Sequence, residues 1–325
     1  MRKYEPEILM GLIMSLALLL AFPPRGAAAP ERPSASPAAV QIDPEAQKAS
    51  FDRTHSVRLL QGDAVGTISM REYLIGVVLS EMPMSFDPEA LRAQAIASRT
   101  YVLHSSRHSD ADVCDDGACC QCREDEESLR RRFGADYEAV REKAQQAVDS
   151  TDGIVLTYGG ALIDATYFSC SGGMTEDARE VWGSDAPYLR AVASPGEENA
   201  GNYYSRAEFS PEEFADVIAV LEPRAIPAGD PAEWVGKPVR TDGDGVRTLE
   251  IGGTVLSGAQ LREAFGLRST NFNLHWDGER FCFDVYGAGH RVGLSQCGAQ
   301  AVALAGATAE QILTTYYTGV EISHI

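Results

Sequence analysis

Glu81 is the side chain of this sequence that is best suited to act as a general acid. It follows an apolar stripe at helical spacing, and Pro83 comes two residues later. Because a proline ends a helix, Glu81 is expected in the last turn, near the negative end of the helix dipole. That dipole and partial burial both favour the neutral carboxyl group, which can donate a proton near neutral pH. The alternative is a surface glutamate with no chemical role.

Two helices are predicted to position this carboxyl group. Ser69 and Glu72 have the spacing of a capping box, which starts the helix that ends at Glu81. Asp87 is the predicted N-cap of the second helix, which has a proline at its first position.

Arg99 lies on an alanine-lined face of the second helix, and this pattern predicts that it is buried. A buried guanidinium needs a carboxylate partner, which Glu81 or a bound substrate could supply. We therefore count Arg99 among the candidate substrate-binding residues. A purely structural ion pair is the alternative.

A cysteine-rich segment at residues 104–126 contains candidate metal ligands. His108, Cys114 and Cys120 are spaced six residues apart, and Cys119 and Cys122 are within reach of them. Imidazole and thiolate groups in a flexible loop are typical zinc ligands. The sequence therefore predicts a Zn²⁺ site with a structural role at His108, Cys114 and Cys120. Disulfides are the alternative in an exported protein.

Two glycine-rich loops follow predicted strands, at residues 169–173 and 287–299. Neither loop has the lysine of a phosphate-binding loop or the pattern of a dinucleotide site. Their glycines are expected to let the backbone approach a ligand closely. The polar residues of these loops that could line a sugar-binding cleft are Ser171, His290, Ser295 and Gln296.

The chain as a whole indicates an exported α+β protein. Its formal net charge of −19 over 325 residues argues against nucleic acid or an anionic lipid surface as a partner. An apolar run within residues 1–25 predicts a signal peptide or membrane anchor, and residues 26–50 form an Ala/Pro-rich tether. Residues 51–325 mix helices and hairpins without βαβ alternation, which predicts a single α+β catalytic region outside the cytoplasm. If the leader is cleaved, the protein is secreted.

Residues 57–325 resemble the stage II sporulation protein D (SpoIID) family, whose members share the SpoIID/LytB domain. The matching motifs, in the order of the family, are residues 73–83, 89–101, 171–176, 181–183, 261–272, 289–299 and 316–319. The resemblance implies a membrane-attached lytic transglycosylase that cuts peptide-free peptidoglycan strands during forespore engulfment. It also implies the amidase SpoIIP and the membrane protein SpoIIM as partners. The family's catalytic glutamate corresponds to Glu81, and the spacing of His108, Cys114 and Cys120 resembles the zinc-binding loop of some members.

Three positions depart from the family pattern. Arg291 stands where members usually have glycine, and it could narrow the cleft or contact an acidic sugar substituent. Cys170 and Cys297 are also unusual for the family. Because their motifs could meet in space, we predict that these two cysteines are close enough for a disulfide.

The predicted reaction is cleavage of the MurNAc–GlcNAc bond with Glu81 as acid and then base. Closure of a 1,6-anhydro ring needs no second carboxylate, unlike hydrolysis by most glycosidases. Arg99, Ser171, His290 and Gln296 are candidates for substrate positioning. Two alternatives remain, which are a non-catalytic glycan-binding activator of a cell-wall amidase and a zinc-dependent hydrolase that uses an open metal position.

Overall fold

The computed structural model describes residues 50–105, 107–225 and 227–325. The helices are α1 (Phe51–Thr54), α2 (Met70–Glu81), α3 (Pro88–His104), α4 (Glu126–Phe133), α5 (Tyr137–Asp149), α6 (Ala178–Trp182), α7 (Pro211–Leu221), α8 (Gly258–Ala264), α9 (Gln296–Leu304) and α10 (Ala309–Tyr316). The strands are β1 (Ser56–Gln61), β2 (Ala64–Ser69), β3 (Val113–Cys114), β4 (Ile154–Tyr158), β5 (Ala161–Leu162), β6 (Tyr167–Phe168), β7 (Tyr204–Phe209), β8 (Val239–Arg240), β9 (Val246–Ile251), β10 (Thr254–Ser257), β11 (Phe272–Trp276), β12 (Phe281–Tyr286), β13 (Leu294–Ser295) and β14 (Glu321–His324).

The α+β class predicted from the sequence is confirmed. The strands form small sheets with the orders β2-β1-β3, β10-β9-β8, β11-β12-β7, β13-β6 and β14-β4-β5. The predicted leader and nearly all of the tether lie outside the described residues. Within the described ranges, no helix combines the length and apolar character needed to cross a bilayer.

The first hydrophobic core forms around α2 and α3, which pack against each other and against α5. Ser69 caps α2 as predicted, because its side chain accepts a hydrogen bond from the Glu72 backbone N–H at 3.2 Å. The second bond of a capping box, from the Ser69 backbone N–H to the Glu72 carboxylate, is not formed. That carboxylate binds Arg71 and Arg141 instead. Asp87 caps α3 as predicted, with its side chain accepting from the Glu89 backbone N–H. Helix α2 therefore carries the candidate acid, and helix α3 packs against it.

A second hydrophobic core lies between the sheet β11-β12-β7, strand β9 and helices α7 and α8. Its centre is an aromatic stack in which the Phe214 ring lies 4.1 Å from Phe281 and 5.1 Å from Phe265. Ser210 and Glu213 form a complete capping box at the start of α7, as their spacing predicts.

Two predicted elements have different bounds in the structure. The sequence predicts one strand at residues 161–168, but this strand is split, because β5 pairs with β4 while β6 pairs in parallel with β13 of another sheet. The sequence also predicts a helix capped by Asp136, but this helix begins at Tyr137 and the Asp136 side chain makes no capping bond. Helix α4 was not predicted from the sequence.

Arg99 is fully buried, and its partner is Asp52 of α1 rather than Glu81. Its Nε donates to Asp52 Oδ1 at 2.7 Å, and its Nη1 donates to the Ile154 carbonyl at 3.0 Å. Burial and the need for a carboxylate were predicted correctly. The predicted contact between Arg99 and a substrate was wrong, because Asp52, 47 positions earlier in the chain, supplies the counter-charge. Arg99 therefore holds α1 and β4 against α3.

We expect Asp52→Ala to lower the free energy of unfolding by about 3–5 kcal/mol, because it leaves the Arg99 charge buried without a partner. Urea unfolding followed by circular dichroism measures this loss. Asp112→Ala is the control, since it breaks an ion pair with Arg58, whose side chain is 53% exposed. An exposed pair contributes only about 0–1 kcal/mol. Equal losses in the two variants would contradict the prediction.

Candidate active site

A pocket of about 370 Å³ opens beside the C-terminal end of α2 and contains Glu81. Its lining residues include Glu81, Tyr101, Arg107, Cys119, Cys120, Tyr167, Phe168, Trp182, His290 and Gln296. The pocket therefore brings together the predicted acid, three residues of the second glycine-rich loop and the cysteine-rich segment, which are far apart in sequence.

The Glu81 carboxylate is held by three hydrogen bonds. The backbone N–H of Cys122 donates to Oε1 at 2.8 Å, and the Tyr167 hydroxyl approaches the same oxygen at 3.4 Å. The Gln296 side-chain amide donates to Oε2 at 3.5 Å. Only the bond from Cys122 is short. The three contacts therefore orient the Glu81 carboxyl group without strongly favouring its charged form.

Burial raises the pKa of Glu81 above its usual range. The bonds from Cys122, Gln296 and Tyr167 oppose this rise because they favour the charged form. Within the described residues, no cation contributes to the shift. The net direction agrees with the expectation from sequence, namely a carboxyl group that keeps its proton to higher pH than an exposed glutamate.

Glutamine side chains orient the groups that contact Glu81. The Tyr167 hydroxyl lies 2.9 Å from Gln121 Oε1, and the Gln296 amide lies 3.4 Å from Gln94 Oε1. Gln296 was identified from its polar character in a glycine-rich loop. Tyr167 was missed, although its position directly before the first glycine-rich loop was a usable signal.

His290 lines the same pocket as a neutral ring. It lies between Trp182 and Phe168, with ring centroids 5.0 and 5.6 Å away. Its Nδ1 accepts a hydrogen bond from the Val292 backbone N–H at 3.1 Å. Burial, together with the positive charge of Arg262, lowers the pKa of His290 to about 4. The ring is therefore a polar aromatic wall rather than a proton carrier at neutral pH.

Ser171 and Ser295 do not line the pocket, although the sequence analysis placed them in the cleft. Both are fully buried, and both hydroxyls donate to Glu197 Oε1, at 2.9 and 2.7 Å. Glu197 is 1% exposed and was not identified from sequence. The two serines therefore tie the glycine-rich loops together behind the pocket.

Arg291 is also buried and does not contact the pocket, contrary to the roles considered for it. Its Nε donates to the Ser171 carbonyl at 2.8 Å, and its Nη1 lies 3.9 Å from Glu176. Its backbone has φ +68°, in the left-handed region that favours glycine. Glycine would adopt this conformation without strain, and the Arg291 side chain acts as an internal brace.

The motifs that contain Cys170 and Cys297 meet, because the Cys297 backbone N–H donates to the carbonyl of Ser169, the neighbour of Cys170, at 2.9 Å. Both cysteines are free thiols in the structure, and Cys170 also donates to Glu197 Oε2 at 2.9 Å. The predicted meeting of the two motifs is confirmed, and the disulfide itself stays a prediction.

His108, Cys114, Cys119 and Cys120 form a compact group of donors, with all four ligand atoms within 4.8 Å of one another. His108 Nε2 lies 3.4 Å from Cys120 Sγ and 3.7 Å from Cys119 Sγ, and the two sulfur atoms are 3.9 Å apart. Bonds of about 2.0–2.3 Å to a tetrahedral zinc ion give ligand separations of roughly 3.5–3.8 Å. The types of donor and these three separations therefore fit zinc.

The chain between these donors and α4 leads directly to Glu81. Cys122, two residues after Cys120, uses its backbone N–H for the 2.8 Å bond to the Glu81 carboxylate. Strand β3, which contains Cys114, pairs in parallel with β1. The segment is therefore fixed at one end by a sheet and supports the carboxyl group at the other.

Known proteins resemble this chain over most of its length. A family model described as Stage II sporulation protein (SpoIID) matches residues 61–158. The stage II sporulation protein D of Bacillus amyloliquefaciens is 38% identical over 267 residues, which cover 80% of this chain and 76% of that protein. The protein of the same name from Bacillus subtilis (strain 168) is 37% identical with the same coverage. The Amidase enhancer of Bacillus subtilis (strain 168) is 27% identical over 299 residues, 77% of this chain and 40% of that protein. The chain therefore belongs to the stage II sporulation protein D family.

Proposed function

We propose that this protein is a lytic transglycosylase that cleaves peptide-free peptidoglycan strands during forespore engulfment. The observation that carries the proposal is Glu81, a partly buried carboxyl group with a raised pKa at the edge of a pocket. The aromatic and amide groups beside it are typical of sugar-binding sites. Membership of a sporulation family and the relative named Amidase enhancer are consistent with a role at the cell wall.

In this mechanism Glu81 acts twice. As an acid it gives its proton to the glycosidic oxygen between MurNAc and GlcNAc, and the C1–O bond breaks. As a carboxylate it then takes the proton of the muramyl C6 hydroxyl, whose oxygen bonds to C1 and closes the 1,6-anhydro ring. No water is consumed. Tyr167 and Gln296 orient the carboxyl group, and Trp182 and His290 offer ring faces to the sugars.

Mass spectrometry of the products from peptide-free glycan strands tests this proposal. We expect fragments that end in 1,6-anhydro-MurNAc and carry no additional water. Fragments with a reducing MurNAc end, formed in ¹⁸O-labelled water with incorporation of the label, would instead indicate a hydrolase.

We further propose that Cys114, Cys119, Cys120 and His108 hold a structural Zn²⁺ ion. When bound, the ion would cross-link a segment that also contacts the rest of the protein through β3, through the Glu124 backbone N–H bond to Ser80 and through the Cys122 bond to Glu81. Four protein donors leave no open position in a tetrahedral site, which argues against the zinc-dependent hydrolase alternative.

We expect Cys120→Ser to lower zinc affinity by more than about 100-fold, since loss of a residue that only hydrogen-bonds to a metal ligand already costs about 10–100-fold. Elemental analysis and competition with a chelator measure this, and thermal unfolding gives a second readout. Cys122→Ser is the matched control, because Cys122 lies in the same segment but outside the donor group. Equal zinc loss in both variants, or a chain that holds no zinc, would contradict the site.

A second candidate function is non-catalytic activation of a cell-wall amidase, which the relative named Amidase enhancer favours. By family resemblance the amidase is SpoIIP, and the membrane protein SpoIIM is a further partner. Under this alternative Glu81→Gln would leave activation of the amidase unchanged, and no anhydro product would form with any variant.

We also propose that the protein acts outside the cytoplasm, attached to the membrane through its N-terminal segment. The support is the apolar run at residues 8–22, which lies outside the described residues. Digestion of the protein by external protease on intact protoplasts tests this location, and full protection would refute it.

A further inference from the structure

A second groove, of about 560 Å³, lies next to the Glu81 pocket. The residues that line this groove include Glu176, Glu180, Arg247, Arg262, Leu267 and His290. His290 lines both cavities, and on α6 Val181 lines the groove while Trp182 lines the pocket. These two side chains are 37% and 46% exposed. A polysaccharide that passes Glu81 could therefore continue across α6 into the groove.

Arg262 stands apart from the other charged groups of the groove. Its guanidinium is partly buried on α8, and its Nε has a long contact of 3.4 Å with the Leu267 carbonyl. Among the described residues, no carboxylate lies within ion-pair distance of it. Burial alone lowers the pKa of Arg262, with no opposing acidic group. A partly desolvated cation without a counter-charge is a site for an anion.

The other charges of the groove are mostly matched within the protein. Arg247 forms two bonds of 2.8 and 2.7 Å to Glu180. Glu176 lies 3.9 Å from Arg291 Nη1 and also accepts from the Thr241 hydroxyl at 2.7 Å. Glu263 is exposed and adjacent to Arg262 on α8, but neighbouring residues of a helix do not face each other. The guanidinium of Arg262 is thus the cation of the groove that a ligand can use.

The proposed substrate carries a matching anion. When an amidase removes a stem peptide, hydrolysis of the amide leaves a free carboxylate on the lactyl group of MurNAc. A strand that still bears its peptide has a neutral amide at the same atom. A guanidinium matches a carboxylate with two parallel hydrogen bonds and offers no such match to an amide.

We propose that Arg262 binds the free lactyl carboxylate of a muramyl sugar, in a subsite that flanks the Glu81 pocket. The inference rests on the proposed function for the identity of the ligand. Through this subsite the protein selects strands from which the peptide has already been removed, which places its reaction after an amide hydrolysis.

Binding measurements in the Glu81→Gln background test the subsite without turnover. The probes are peptide-free strands with their lactyl carboxylates, and the same strands with those groups converted to primary amides. We expect the carboxylate form to bind about 10- to 100-fold more tightly, as for a charge-assisted hydrogen-bonded pair. Arg262→Gln should remove this preference, and Arg262→Lys should restore part of it.

Arg247→Gln is the matched control, because Arg247 lines the same groove but its guanidinium is already bound by Glu180. It should keep the preference. A preference that survives in Arg262→Gln would overturn the proposal. So would equal binding of both strand forms by the parent chain, which is decisive even where Arg262→Gln fails to fold. Loss of the preference in Arg107→Gln alone would place the carboxylate in the Glu81 pocket and would also overturn it.

The outcome is separable from that of the proposed function. Arg262-dependent preference without any anhydro product would support the subsite and refute the transglycosylase. Anhydro product formed equally from carboxylate and amide strands, without preference in binding, would support the transglycosylase and refute the Arg262 subsite. Absence of binding to either strand form would overturn the subsite.

Discussion

Glu81→Gln should lower the rate of anhydro-product formation by about 10³- to 10⁴-fold, with folding and glycan binding retained. General acid–base catalysis contributes about 10²- to 10⁴-fold, and this one side chain supplies both the acid and the base. Glutamine keeps the size of the side chain and the acceptor for the Cys122 N–H, but it has no transferable proton. Initial rates on peptide-free strands, quantified by mass spectrometry, measure the effect.

Glu72→Gln on the same helix is the control for this change. Its carboxylate forms ion pairs with Arg71 and Arg141 at the other end of α2, where it is 42% exposed. We expect at most about 1 kcal/mol of lost stability and nearly full activity. A Glu81→Gln variant that retains more than a tenth of the parent rate would remove Glu81 from the mechanism.

The same assignment predicts a pH dependence. Only protonated Glu81 can start the reaction, so kcat/KM falls as pH rises through the pKa of Glu81 in the free enzyme. Because burial raises that pKa, the fall lies above the usual carboxyl range. Tyr167→Phe removes a hydrogen bond that favours the carboxylate, so the fall should move to still higher pH. A shift to lower pH would show that Tyr167 does not stabilise the charged form.

Local signals in the sequence were sufficient to place Glu81. The N-cap Ser69 and the helix-ending Pro83 define one helix. The apolar residues between them recur at helical spacing and show which face of the helix is buried. The same is true of the cysteine-rich segment, where even spacing identified donors that the fold brings together. Such features depend on residues within a few turns of each other, and physical rules for helices and metal ligands apply to them directly.

Partners of buried polar groups could not be predicted in this way. Arg99, Ser171 and Ser295 were assigned to the substrate because their polar character was visible and their partners were not. Asp52 and Glu197 lie far from them in sequence, at separations of 47, 26 and 98 residues. Nothing local distinguishes a buried carboxylate from the many exposed ones in an acidic chain. Contacts of this kind require the tertiary structure.

Glu197→Ala should cause the largest loss of stability of the variants proposed here, about 5 kcal/mol or more. The buried carboxylate accepts from the Ser171 backbone N–H at 2.7 Å, from the hydroxyls of Ser171 and Ser295, and from the Ser194 hydroxyl. Each buried donor left without an acceptor costs about 1–3 kcal/mol, although such losses are not strictly additive. Urea unfolding measures the change. Glu198→Ala, at the next and exposed position, should stay within about 0.5 kcal/mol of the parent.

Glu197→Gln gives this prediction a functional readout. The amide keeps one acceptor oxygen, so the variant should fold with a smaller loss, but Ser295 loses part of its support. Ser295 caps α9, and the next residue, Gln296, donates to the Glu81 carboxylate. A looser Gln296 favours the charged form of Glu81 less, and so raises its pKa. The alkaline fall of kcat/KM should then move to higher pH. If the variant is destabilised while its pH profile stays that of the parent, Glu197 supports the fold alone and does not position the acid.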